Sequence, residues 1–301
     1  KFDGKGSFTF SDGRRYEGQF KNGEKHGKGT FTFPDGRKFV GEWENGKRNG
    51  KGIFKLAEGE TYEGYHLNGK FHGYGTYSWP KGYGYSGEWK NGLPSGKGEF
   101  EYPDGSKYEG AWRNGKKNGQ GVWHSPEGFK YEGEFIDGVP SFGKLYAPPS
   151  EKQASYVGMI NSQLQPIGFG RLLLDDDTIA LGEFDGSTSG GAPKLEGLGF
   201  GFLNNQNKFV AVFRNDEPQR GITEHQLEEL QDKEKAFLKR EIDLLVKSKV
   251  ILECDDLGFI TGTQEYEDCN LKLTVLYKEE AIIVLLKSPK KIKKFYLLNR
   301  L

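Results

Sequence analysis

A Gly-x-Gly pair recurs every 23 residues, beginning at Gly4, Gly27, Gly50, Gly73, Gly96 and Gly119, with no insertion across the six units. A strict period of this length makes each unit one supersecondary element that buries its surface against its neighbours. The element can be read from a single unit. In YEGQF, the side chains of Tyr16, Gly18 and Phe20 share one side of a strand, and Glu17 and Gln19 share the other. In GKGTFTF, Gly27, Gly29, Phe31 and Phe33 oppose Lys28, Thr30 and Thr32. Asn22-Gly23 between the two strands, and Pro34-Asp35-Gly36 after them, are tight reversals. Each unit is therefore an antiparallel hairpin, and the array is a meander.

Pairing Phe20 with Gly27 sets Gly18 opposite Gly29 and Tyr16 opposite Phe31, so that rings lie over bare glycine backbone. On the opposite face the same register sets Glu42 against Lys51 and Glu88 against Lys97 as cross-strand ion pairs. Two strands per unit should advance the sheet by roughly 10 Å per repeat. Composition agrees: only 34% of the 301 residues are hydrophobic, too lean for one large core, while 45 glycines and 14% aromatics suit rings stacked on glycine.

After residue 141 the period breaks. SFGKLY at Ser141 is one residue short of the register, and Ala147-Pro148-Pro149-Ser150 follows as a linker or bend. About three worn units continue through Tyr156-Val157-Gly158, Pro166 to Leu174, Ala180 to Phe184, Leu195 to Leu203 and Lys208 to Asp216. From Gly221 the pattern changes again. Thr223 with Gln226 forms a capping box, and Leu227, Leu230, Phe237, Leu238, Ile242 and Leu245 mark one side of a helix to about Ser248. We expect this helix to cap the worn repeats around Phe200, Phe202 and Phe213, with Glu228, Lys235 and Lys239 in water. Glu234 and Glu241 break any strict heptad seam. Strands are expected at Val250, at Leu271 to Tyr277 and at Ala281 to Leu286. The fold class is mainly β: a single-layered antiparallel sheet of tandem hairpins, then a capping helix and a small α+β segment. The expected divisions are 1–141 regular repeats, 142–215 degenerate repeats, and 216–301 helix, short strands and basic tail.

Chemistry-bearing patterns are few. The chain has no phosphate loop, nucleophile elbow or HExxH, so no catalytic residue, cofactor or small-molecule substrate is assigned. The 43 basic residues balance 43 acidic ones, which argues against nucleic acid as a partner. His26 and His72 stand where other units carry Asn49 and Asn118, as turn residues and not metal ligands. Cys254 and Cys269 are too few to staple the chain and are read as free thiols in a reducing compartment.

The residues YEGQF at Tyr16, FVGEW at Phe39, TYEGY around Tyr62, YSGEW at Tyr85, YEGAW at Tyr108 and YEGEF at Tyr131 resemble the MORN (membrane occupation and recognition nexus) repeat, in register six times. The resemblance implies a scaffold, because members of that family hold myosin tails, sit in ciliary radial spokes and organise cytoskeletons. It implies a cytoplasmic, cytoskeleton-associated protein, as in a cilium or axoneme, or one peripheral to membranes. Some members place the repeats before an enzyme domain, so a regulatory repeat region of a larger enzyme is the further alternative. Two surfaces follow as candidates. Trp43, Trp89 and Trp112 with Tyr62, Tyr85 and Tyr108 are regularly spaced anchors for a protein partner in a larger assembly. Lys290, Lys291, Lys293 and Lys294, before Phe295 and Tyr296, can meet anionic membrane or an acidic partner.

Overall fold

The computed structural model describes residues 2–148, 155–173, 179–189, 192–203, 207–214, 217–218, 224–256, 268–269 and 271–274. Two compact units are present, residues 1–130 with 135–139, and 131–134 with 140–301. The fold is mainly β and built of antiparallel hairpins with a helix, as the period and alternation require.

In the first unit the strands are β1 (Gly4–Thr9), β2 (Arg15–Lys21), β3 (Glu24–Thr32), β4 (Lys38–Glu44), β5 (Lys47–Lys55) and β6 (Thr61–Leu67). They continue as β7 (Lys70–Ser78), β8 (Gly84–Lys90), β9 (Leu93–Glu101), β10 (Lys107–Arg113) and β11 (Lys116–His124). Each pairs with the next in sequence order, so the meander is a single layer. Asn22, Asn45, Asn68, Asn91 and Asn114 at the hairpin tips have φ between 47° and 55°, the left-handed geometry that a two-residue turn needs. The following glycine of each later tip donates its N–H to the preceding hairpin, as Gly69 does to the Arg48 carbonyl at 2.9 Å.

The glycine register is as read: Gly18 faces Gly29 and Tyr16 faces Phe31. Phe20, however, faces Lys25 and not Gly27. The ladder slips after Gly18, leaving Gly27 and Lys28 as extra residues, and Gly27 absorbs the slip at φ 55°. The same slip follows Gly41, Gly64, Gly87 and Gly110. In the repeats that carry a tyrosine at this position, its hydroxyl bonds a carbonyl beside the slip. The hydroxyls of Tyr16, Tyr62, Tyr85 and Tyr108 each donate at 2.9 Å to the carbonyls of Gln19, Tyr65, Glu88 and Ala111. The slip also gives the glutamates of the expected ion pairs backbone partners. The carboxylates of Glu42 and Glu88 turn onto the freed backbone N–H groups of Lys51 (3.0 Å) and Lys97 (2.9 Å), and Glu42 stands in register with Lys28.

Next come β12 (Lys130–Ile136) and β13 (Val139–Tyr146), followed by β14 (Ser155–Ile160), β15 (Pro166–Leu173), β16 (Ile179–Ser189), β17 (Ala192–Leu203), β18 (Asn207–Arg214) and β19 (Glu217–Pro218). The worn sequence of the second unit keeps the glycine column, with Gly143, Gly158, Gly170, Gly182 and Gly199 aligned strand to strand. Tyr156 covers Gly158 and Gly170 as its counterparts do in the regular repeats.

The helix α1 (Glu224–Asp256) runs eight residues beyond the expected end at Ser248. Val250, expected in a strand, is fully buried on one helical stripe with Val246 and Cys254, which is why the helix continues. Residues 271–274 are helical too, not a strand. Cys269 and Leu273 pack beside that stripe, and Cys254 and Cys269 form a disulfide with Cα atoms 6.1 Å apart, so the expectation of free thiols does not hold. The segment at Ala281 and the tail from Lys290 lie outside the described residues.

The first half of α1 lies on a sheet face. Leu230 and Phe237, with Leu238 and Leu244 beside them, pack on Phe142, Val157, Met159, Phe169 and Leu181. Glu241 is buried with Arg171, Lys233 reaches Glu183 at 2.6 Å, and Arg240 lies 3.9 Å from Glu134. Glu228, Lys235 and Lys239 stay exposed as expected, while the side chains of Phe200, Phe202 and Phe213 lie outside the described set.

Candidate functional site

The two faces of the first unit have different chemistry because strand residues alternate. On the glycine face the rings form a ladder of edge-to-face contacts from Tyr16 through Trp43, Phe39, His66, Tyr62, Trp89, Tyr85, Trp112 and Tyr108 to Phe135, with centroids 4.8 to 5.5 Å apart. Trp43, Trp89 and Trp112 donate Nε1 to the carbonyls of Gly29, Gly75 and Gly98 at 3.2, 2.9 and 3.0 Å. The expected anchors sit in this ladder: the three tryptophans are 5 to 8% exposed, and Tyr62, Tyr85 and Tyr108 at most 1%. Their surface is spent on holding the sheet together. Burial pushes the Tyr62 hydroxyl up to about 12 and the Lys117 ammonium, lying over Tyr108 and bonded to Tyr102, down to about 8.

One position in the ladder is chemically odd. His66 stands where the repeats otherwise carry Trp or Phe, and burial first, then the nearby Arg48 charge, push its pKa down to about 4. The Gly64 carbonyl opposes this slightly, yet neither ring nitrogen reaches hydrogen-bond geometry with a partner among the described residues.

The other face carries a trough of about 810 Å³ across β3 to β7. Its floor is the backbone of Gly29, Gly41, Gly52, Gly64 and Gly75. One bank runs in register through Thr30, Val40, Ile53, Glu63 and Thr76; the other carries Lys28, Glu42, Lys51, Tyr65 and Tyr74. Val40, Ile53, Tyr65 and Tyr74 are 45%, 40%, 44% and 61% exposed, an apolar set in water. The Lys51 ammonium lies 5.1 Å from the Tyr65 ring centre, and Tyr74 Oη is 3.2 Å from Ser86 Oγ. Lys28 and Lys51 balance Glu42 and Glu63, so the trough has no net charge.

Sequence reasoning passed over these residues although a signal existed: Val40, Ile53, Tyr65 and Tyr74 occupy positions where sister repeats mostly place Glu, Ser, Thr, Lys or Gln, with Val122 and Ala111 as the apolar exceptions. No group of three or more metal-ligating side chains occurs among the described residues, and no helix among them is long and apolar enough to cross a membrane.

The family description "MORN repeat" matches six stretches, residues 1–14, 16–36, 39–61, 62–82, 85–107 and 108–129. No curated protein sequence matches the chain. Among solved structures, the SAS-4 (dCPAP) TCP domain of Drosophila melanogaster, in complex with a proline-rich motif of Ana2 (dSTIL), is similar at 12% identity and a TM-score of 0.30, covering 69% of this chain and 90% of that one. The wild-type TCP10 domain of Danio rerio CPAP is similar at 13% identity and a TM-score of 0.26, covering 71% and 95%. TM-scores this low give neither likeness any bearing on function.

Proposed function

Because residues 1–129 are six MORN repeats, we propose that the protein is a non-catalytic adaptor that holds another protein on the trough face of its first unit. The observation that carries this reading is the cluster of Val40, Ile53, Tyr65 and Tyr74, four large side chains left in water on a face whose charges cancel. Exposed apolar patches rimmed by polar groups are the signature of protein-binding surfaces, and aromatic residues are the usual source of binding energy there. The balanced charge of Lys28, Lys51, Glu42 and Glu63 offers little to an anionic membrane, which would need a net basic surface. The setting that the repeat family suggests is a cytoskeletal or ciliary assembly.

A photo-crosslinking residue at Tyr74 tests the reading in cells. Cross-linked proteins should be recovered with the unaltered sheet and lost when Ile53→Glu is added. Recovery of the same proteins despite Ile53→Glu overturns it. So does salt-sensitive pelleting with anionic vesicles in place of protein capture, which would move the protein to the lipid-binding class.

A further inference from the structure

The trough has a filled counterpart within the same chain. The second unit repeats the register of the first, and its corresponding bank positions are Val157, Arg171 and Leu181 on one side and Phe142, Met159, Phe169 and Glu183 on the other. Val157 and Leu181 correspond to Val40 and Glu63, Met159 to Glu42 or Tyr65, Phe169 to Lys51 or Tyr74, and Arg171 to Ile53 or Thr76, each counted from its glycine. These are the side chains on which α1 rests. The fold therefore demonstrates what this face accepts when it is covered: an amphipathic helix laid across the strands.

Resting on the adaptor reading, we infer that the trough over β3 to β7 is the seat of one amphipathic α-helix from a partner protein, about thirteen residues long. The length follows from geometry, since five strands at about 4.8 Å spacing span roughly 19 Å, which a helix covers in about thirteen residues. The helix α1 obeys the same rule. Its contacts from Leu230 to Leu244 extend roughly 21 Å over strands β12 to β16.

A helix is the right occupant for a second reason. The floor of the trough runs across the strands, and its N–H and C=O groups already belong to the ladders between β3 and β7. An extended peptide lying there would find no backbone partners for its own polar groups, whereas a helix satisfies them internally. The α1 helix of a second copy does not qualify, because Leu230 and Phe237 are buried in their own seat.

Charge defines the helix further. On the filled seat, Lys233 and Arg240 face Glu183 and Glu134, and Glu241 faces Arg171 on the other bank. The trough calls for apolar residues over Val40, Ile53, Tyr65 and Tyr74, an acidic residue toward Lys28 and Lys51, and a basic residue toward Glu63.

The test uses the full chain as bait for a displayed library of fifteen-residue peptides. Enriched peptides should repeat apolar residues at i, i+3 or i+4 and i+7, and should gain helical circular dichroism on binding. They should lose at least ten-fold in affinity on Tyr74→Glu, a change at an exposed site that leaves the sheet signal intact. Glu63→Lys should invert the charge selected at the facing peptide position. Three results overturn the inference: no enrichment over a Tyr74→Glu, Ile53→Glu bait, bound peptides that remain extended, or concentration-dependent self-association of the chain that Tyr74→Glu abolishes. If the double substitution removes cellular cross-linking while the selected peptides bind without helix, the adaptor reading stands and the helical partner falls.

Discussion

Replacing His66 with phenylalanine should stabilise the first unit, and the gain should grow as the solution is acidified. Phenylalanine already fills the same ladder position at Phe20 and Phe135, so the position takes a ring of that size. His66 buries two ring nitrogens with no hydrogen-bond partner among the described residues, a desolvation cost of about 1–3 kcal/mol at neutral pH that phenylalanine removes. The acid dependence has a definite sign. The folded-state pKa is lowered from 6.5 to about 4, so between those values the unfolded chain binds the proton more readily, and stability falls as pH falls through that window. The loss reaches about 2 kcal/mol at pH 5 and about 3 kcal/mol at pH 4, and grows little below. Urea and thermal unfolding followed by fluorescence of Trp43 and Trp89, which flank His66 in the ladder, should show the variant above the native chain at pH 7. The gap should widen at pH 5 and pH 4. Curves that stay parallel from pH 7 to pH 4 would refute the burial of an unpaired imidazole, and a destabilised variant at pH 7 would mean that His66 has a partner the geometry does not show.

Three further substitutions probe the same physics. Gly75→Ala places a Cβ 2.4 Å from Tyr62 Oη and must expel a fully buried ring, at a cost of about 3 kcal/mol, whereas Asn68→Ala strains a turn residue at φ 52° for about 1 kcal/mol; thermal melts of the two should differ accordingly. Phe39→Tyr gives the second repeat the hydroxyl that elsewhere bonds the i+3 carbonyl, here Glu42, and should add about 1 kcal/mol in chemical unfolding. Glu241→Ala removes a buried carboxylate from beside the partly buried Arg171 and should cost about 3 kcal/mol, seen as early release of α1 in hydrogen exchange while β1 to β11 stay protected.

Much of this protein is legible in its sequence, because the forces that set it are local. Alternation and the glycine period put Tyr16, Gly18, Gly29 and Phe31 on one face and align the glycines, since only Gly lets a neighbouring ring sit 2.3 to 2.5 Å from where a Cβ would be. Asn-Gly tips determine each turn, and Leu230 and Phe237 mark the buried side of α1. Other features depended on where strands and side chains met in space. Hydrophobicity marks the tryptophans as anchors, but whether a ring faces a partner or its neighbours depends on the ladder it joins, and Trp43, Trp89 and Trp112 joined one. The slip after each glycine is set by two residues that fit no pairing, and the carboxylates of Glu42 and Glu88 bond the backbone N–H groups it frees. The β-branched run at Val250 reads as a strand; burial beside Val246 and Cys254, and the approach of Cys269, chose the helix. The trough, and the helix-covered seat that matches it, required both units in three dimensions, because an exposed face differs from a covered one only through what lies across it.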